Sequence, residues 1–411
     1  MGGVQRIGVD AVGVERLALA VKRSGPGFLQ KAYTQAEIDY CRGNADRLAG
    51  RWAAKEAVIK CFDGTGHCFP RRRIEILPAG SGAPQVRLLG DSGGLDILVS
   101  ITHHSGLAVA TAVLTMDGVG PLLTTPEGVR LPARPADAHK GSFGTVVVLA
   151  GSFGLTGAAY LSSTAAARAG AGLVRLLVAE GVYPILAAKC TEVMATPVPE
   201  VAPGAIGHAA HDTVMRQLEA ADAGLIGPGL GRDSSTWRLI HDLVPHAPCP
   251  LVIDADGLNA LADAPRLLKR LGKERVLTPH PGEMARLVRK QASDVQADRA
   301  GVARKAASEW GAVVVLKGAR TVVAAPDGRL SEDPHEVPAL ATGGTGDVLS
   351  GLIAALIAQG SDPFTAAVTG VYVHAESGRR IQAEIGESGL LASDLLPEIP
   401  RVMQALRKGG F

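Results

Sequence analysis

The chain has 411 residues, enough for two or three domains at roughly 150 residues each and too many for a single small binding module. Apolar residues at 46% and charged residues at 20% describe a folded globular protein, not a disordered or fibrous one. The net charge of +2 gives a nucleic-acid or membrane partner no electrostatic basis, so small molecules are the expected ligands.

The five cysteines, Cys41, Cys61, Cys68, Cys190 and Cys249, form no C-x-x-C pair and are odd in number. That argues against a disulfide framework or structural zinc and for a reducing compartment. The first residues lack the apolar core of a signal peptide, and no apolar run approaches the roughly 18 residues of a membrane span. A cytoplasmic protein is expected.

In chain order, Gln5 to Val12 reads as a strand and Ala45 to Phe62 as a helix, with Leu48, Trp52, Ala53, Ala57 and Val58 at helical spacing. Ile74 to Leu77, Gln85 to Leu89 and Ile97 to Thr102 read as strands between Gly/Pro turns. This first part is α+β. It puts Asp10 at the end of a strand and Glu56 on the helix, with Lys60 one turn further on. Glu56 and Lys60 form either an exposed i,i+4 salt bridge or, with small residues around Glu56, a partly buried carboxylate suited to a cation. Arg51, Lys55 and Lys60 partly share a face, which suits a polyphosphate ligand.

Residues 116–138 hold four prolines and three glycines without sustained periodicity, the composition of a linker or extended lead-in. The domains are therefore expected at 1–115 and 139–411. Split at residue 115, the net charge is +4 before and −2 after. In the second part, short β-branched runs (Val146–Leu149, Leu251–Ile253, Val313–Leu316) each end in Gly, Asp or Lys and lead toward a helical stretch. That alternation predicts a mostly parallel sheet covered by helices on both faces, with ligands beyond the carboxyl ends of the strands.

The loops there carry the chemistry. Thr342-Gly343-Gly344-Thr345-Gly346-Asp347 precedes an apolar helical run from Val348. Its glycines let backbone close around an anion at a helix N-terminus. Asp347 is either a base for activating a hydroxyl toward phosphoryl transfer or a helix cap. Gly227-Pro-Gly229-Leu-Gly231 lacks dinucleotide-fingerprint spacing and reads as a close-approach loop. Asp254 and Asp256 suit either Mg²⁺ through water or capping. His280, between two prolines, reads either as a ligand contact or as a structural histidine, and Lys317 after its strand points to a nucleotide phosphate or to solvent. No G-x-x-x-x-G-K-[ST] motif occurs, which excludes a P-loop enzyme.

In this order, H-K-G-x-x-G from His139, G-S-x-x-x-T-G-A from Gly151, G-P-G-L-G, D-A-D-x-L-N, T-P-H-P-G-E, K-G-A-x-T and G-T-G-D resemble the ADP-dependent (S)-NAD(P)H-hydrate dehydratases of the ribokinase-like superfamily. The resemblance implies an α/β ribokinase-like domain in which Ala158, Gly229, His280 and Asp347 contact NAD(P)H hydrate. Lys317, Gly318, Ala319, Arg320, Thr321 and Gly346 would hold ADP or ATP, and Asp347 would be the catalytic base, with Mg²⁺ offsetting phosphate charge. The epimerase domain that precedes this one in many bacterial relatives has no counterpart in the first part.

The first part, through G-V-D with Arg16 following, Y-T-Q-A-E-I-D-Y-C, R-W-A-A-K-E-A-V-I-K and S-I-T-H, is similar to the holo-[acyl-carrier-protein] synthases, 4′-phosphopantetheinyl transferases. The similarity implies Mg²⁺ on Asp10 and Glu56, and coenzyme A on Arg16, Arg51, Lys55, Lys60 and His103. It also implies an acyl carrier protein as partner and a homo-oligomer, a trimer for this domain. Together the resemblances predict a bifunctional enzyme. The rival reading is a small-alcohol kinase fused to a non-catalytic oligomerisation or docking module.

Overall fold

In the computed structural model, residues 4–24, 26–62, 71–80, 82–89, 96–116 and 128–408 are described. Backbone contacts divide the chain into one unit spanning residues 1–124 and another spanning 125–408. Gly64 to Gly66, Cys68 and most of the expected linker lie outside the described residues.

The first unit is a five-stranded antiparallel sheet packed on a helix. Strands β1 (Val4–Gly13), β2 (Ile74–Pro78), β3 (Pro84–Leu88), β4 (Asp96–His104) and β5 (Leu107–Met116) lie in the order β1-β5-β4-β3-β2. Helix α1 (Ala45–Cys61) starts where the Asn44 side chain accepts the Arg47 N–H. Its small residues Ala53, Ala54, Ala57 and Val58 pack against Ile74, Ile76, Ala110, Ala112 and Leu114. Because side chains alternate across a strand, the opposite face carries Ile7, Val113 and Leu98 in one row. Ile7, Val9 and Leu98 are exposed there.

The main sheet of the second unit has nine strands: β6 (Thr145–Leu149), β7 (Leu173–Ala179), β8 (Met194–Val198), β9 (Ala223–Ile226), β10 (Leu251–Ile253), β11 (Arg275–Leu277), β12 (Val313–Leu316), β13 (Val322–Ala324) and β14 (Leu330–Glu332). Their order is β14-β13-β12-β11-β10-β9-β6-β7-β8. The seven strands from β8 to β12 are parallel, and β13 and β14 add an antiparallel edge. Every residue of β9 to β13 is buried, as expected of a sheet with both faces covered. Helices α2 (Thr156–Arg168), α3 (Pro281–Val288), α4 (Thr345–Ala358), α5 (Pro363–Ile385) and α6 (Ala392–Arg407) belong to its covering layers.

Residues 128–138 are bonded to this unit. The Arg130 N–H donates to Thr369 Oγ1 at 2.9 Å, Arg134 Nη1 to the Gly170 carbonyl at 3.0 Å, and Arg407 Nη1 to the Pro132 carbonyl at 2.8 Å.

Candidate active sites

Four loops of the second unit follow the carboxyl ends of neighbouring parallel strands: Gly227 after β9, Asp254 after β10, Thr278 to His280 after β11 and Lys317 after β12. Gly227 adopts φ +130°, and a Cβ there would stand 1.9 Å from the Asp254 carbonyl oxygen. Only glycine lets these two loops touch.

The loops build a charged cluster. Lys317 Nζ lies 2.8 Å from Asp254 Oδ1 and 4.0 Å from Glu283 Oε2, against the backbone of Gly346. Asp254 is therefore the counter-ion of Lys317. Asp256 caps instead, accepting the Gly231 N–H at 2.8 Å and the Asn259 amide at 3.1 Å. Burial opposes the Lys317 charge, but Asp254 and Glu283 outweigh it and hold its pKa above the usual lysine value. Burial, with Asp254 beside it, pushes Asp347 up to about 7 against the pull of Lys317. Burial likewise raises Glu283 to about 6.

His280 is the N-cap of α3. Its Nδ1 accepts the N–H groups of Gly282 and Glu283 at 3.0 and 3.3 Å, while the His280 backbone N–H donates to Glu283 Oε2 at 2.9 Å. The neutral ring must then carry its proton on Nε2. Burial and the neighbouring Lys317 lower its pKa. Asp347 sits in the first turn of α4, where the aligned peptide dipoles favour a carboxylate.

Two cavities meet here. One of about 360 Å³ is lined by Asp254, His280, Lys317, Gly346 and Asp347, among others. The other, about 380 Å³, is lined by Lys317, Gly318, Ala319, Thr321, His335 and His374, among others. Lys317, Gly318, Thr345 and Gly346 border both. Arg320 lines neither; its Nε pairs with Glu332 at 2.9 Å. Ala158 and Gly229 meet each other, since a Cβ on Gly229 would lie 3.0 Å from the Ala158 Cβ, but they are outside both sets of walls.

Sequence reasoning missed the Asp333–His335–Glu376 group, of which Asp333 and His335 line the second cavity. His335 Nδ1 lies 3.1 Å from Asp333 and Nε2 lies 3.4 Å from Glu376. Burial opposes the His335 charge, but the two acids outweigh it and push the pKa up to about 9. The D-x-H spacing was the only available sign, and Glu376 comes from a distant helix.

In the first unit, the i,i+4 pairing of Glu56 with Lys60 is absent. Lys60 instead bonds Asp10 Oδ1 at 2.9 Å and the Val9 carbonyl at 2.8 Å, and Glu56 pairs with Arg71. Each carboxylate keeps an oxygen clear of these ion pairs. Lys55, expected on coenzyme A phosphates, is corrected by the structure. It is fully buried, with Nζ 2.6 Å from Glu37 and donating to the Ala32 and Arg71 carbonyls. All three ammonium protons are thereby used. Arg51 stacks over Tyr40, with its Nε lacking a partner among the described residues. Arg16 is exposed, and His103 Nε2 lies 2.8 Å from the Asp46 carbonyl. Arg71, stacked over Trp52 at 4.8 Å, joins the basic groups around these acids and was not anticipated.

The sheet and its glycine-turn acid define the second unit as ribokinase-like. An Enterococcus faecalis ribokinase-like superfamily protein is 26% identical, with a TM-score of 0.59 over 68% of this chain and 96% of that one. The chain belongs to the NAD(P)H-hydrate dehydratase family, whose model matches residues 146–401. The 4′-phosphopantetheinyl transferase superfamily model matches residues 6–112.

A bifunctional NAD(P)H-hydrate repair enzyme of Moorella thermoacetica is 47% identical over 68% of this chain and 53% of that protein. An ADP-dependent (S)-NAD(P)H-hydrate dehydratase of Xanthomonas campestris is 40% identical over 71% and 99%. The chain thus spans about half the length of the bifunctional relatives. A Bacillus subtilis ADP/ATP-dependent NAD(P)H-hydrate dehydratase, crystallised with ATP and Mg²⁺, is 32% identical with a TM-score of 0.55, over 67% of this chain and 94% of that one.

Proposed function

We propose that the second unit dehydrates hydrated NADH or NADPH at the expense of ADP. The observation that carries this reading is the half-buried Asp347 near Lys317 where two cavities join. The hydrated nicotinamide occupies the His280–Asp347 cavity and Mg·ADP the neighbouring one. Asp347 takes the proton of the C6 hydroxyl, and that oxygen attacks the terminal phosphorus of ADP, breaking its bond to AMP. Lys317, held by Asp254, faces the transferred phosphoryl group and offsets its developing charge. Phosphate then leaves C6, a ring proton departs and the double bond returns. Hydroxide is a poor leaving group and phosphate a good one, so a kinase-like step serves a dehydration.

Asp347→Asn tests the assignment. Turnover is expected to fall roughly 10²–10⁴-fold, the range for losing a general base, while equilibrium dialysis still detects ADP binding. Retained turnover removes Asp347 from this role.

For the first unit we infer transfer of 4′-phosphopantetheine from coenzyme A to a serine of acyl carrier protein. Asp10 and Glu56 are oxygen donors suited to Mg²⁺, which is commonly bound by one or two carboxylates plus substrate phosphates. When bound, the ion would neutralise the pyrophosphate. Arg16, Arg51, Lys60, Arg71 and His103 supply the remaining positive or hydrogen-bonding groups. The exposed row of Ile7, Val9 and Leu98 supports self-association, and a trimer is the assembly proposed. Both co-substrates suit a cytoplasmic setting. Incubating the full chain with apo carrier protein, coenzyme A and Mg²⁺ should raise the carrier's mass by one phosphopantetheine; an unchanged mass makes this unit non-catalytic.

A further inference from the structure

Most polar side chains around the 380 Å³ cavity are already engaged. Asp333 and His335 bind each other, Thr321 donates to the Gly318 carbonyl, Thr345 donates to the Leu340 and Thr342 carbonyls, and Lys317 is held by Asp254. His374, on α5, is different. Its ring is buried, with Nε2 2.9 Å from the carbonyl of Thr345, the first residue of the helix that carries Asp347. A carbonyl only accepts, so Nε2 bears the proton and Nδ1 of the neutral ring is an acceptor. Nδ1 has no partner among the described residues, and His374 is part of the cavity wall. Burial lowers the ring's pKa to about 4, which keeps it neutral.

We propose that His374 links nucleotide recognition to the catalytic turn: Nδ1 accepts a hydrogen bond from an N–H or O–H of the bound adenine nucleotide, while Nε2 holds the Thr345 carbonyl and with it the turn of Asp347. The inference rests on the reading that ADP occupies this cavity. The donor is either the adenine amino group or a ribose hydroxyl. His374 is a positioning residue for the base and a recognition residue for the nucleotide.

Two substitutions separate its two bonds. His374→Gln keeps an N–H near the Nε2 position and loses the Nδ1 acceptor. His374→Asn keeps an acceptor near Nδ1 and cannot reach Thr345. Losing one hydrogen bond is worth about tenfold, so Gln is expected to raise the KM for ADP about that much with kcat nearly unchanged. Asn is expected to lower kcat by a similar factor with KM nearly unchanged. Inosine diphosphate and 2′-deoxy-ADP identify the donor: the analogue lacking it binds the wild type and the Gln variant equally.

On the unmutated protein, adding ADP should shift the ¹⁵N resonance of His374 Nδ1 upfield, a readout independent of the variants' folding. Identical kcat and KM in the two folded variants, or an unmoved resonance at saturating ADP, overturns the proposal. Failure of the wild type to bind ADP or to form AMP overturns the underlying functional reading instead.

Discussion

Asp347 would be a poor base at the ordinary aspartate pKa, and its surroundings change that. Burial and Asp254, helped by Asp256 and Glu283, push it up to about 7 while Lys317 pulls the other way. A base must be deprotonated to act, so kcat/KM for dehydration is expected to fall as pH drops through about 7 and to level off above it. Because Glu283 also titrates, near 6, the acid limb reports the cluster and not one residue. Asp254→Asn removes the strongest neighbouring negative charge and frees Lys317, so the limb should move to lower pH. A limb that stays in place would detach Asp254 from the site.

In the first unit, Lys55 and Glu37 form a fully buried pair. Breaking such a pair from one side costs about 3–5 kcal/mol, so Glu37→Ala should show a large stability loss in denaturant unfolding. A surface-like loss below about 1 kcal/mol would contradict the observed burial.

At the scale of elements, α2 and α4 touch through backbone. A Cβ on Gly351 would lie 2.0 Å from the Ser162 carbonyl oxygen, so Gly351→Ala must push apart the helices that carry Ala158 and Asp347. Overpacking of this kind costs about 1–3 kcal/mol and should lower both Tm and turnover. Helix α5 contributes a second device, in which Glu376 binds His335, Arg379 and Arg380. His335 has its folded pKa raised from 6.5 to about 9. Its contribution to stability is therefore complete below pH 6.5 and lost as pH rises through about 9. Unfolding midpoints measured across that window should decline, and Glu376→Gln should flatten the decline.

Elements were legible in the sequence where composition marks them. The helix expected over 45–62 is observed as Ala45–Cys61, and the three expected strands are interior parallel strands of the nine-stranded sheet. The loops were legible because Gly-rich turns, Pro-His-Pro and paired acids follow buried β-branched runs. Contacts made only by folding were not. Lys55 next to Glu56 looks like a phosphate ligand, and nothing local reveals Glu37 as its partner. Glu376 and His374 read as ordinary helix residues until α5 is laid beside the 380 Å³ cavity.

For the whole molecule, the net charge of +2 averages a mildly basic part and a slightly acidic one, and so identified neither ligand. The two units carry separate sites, each with its own acids and cations. If the first unit self-associates through Ile7 and Leu98, replacing both with Asp should reduce the oligomer in light scattering and abolish carrier modification while leaving dehydration intact. An unchanged mass in solution would place the interface elsewhere.

The central claim is that phosphoryl transfer in the second unit ends in dehydration. Its direct test is product analysis after mixing the full chain with purified hydrated NADH and ADP. Equal amounts of NADH, AMP and inorganic phosphate are predicted. A phosphorylated alcohol that accumulates without NADH would make the unit a kinase and contradict the account.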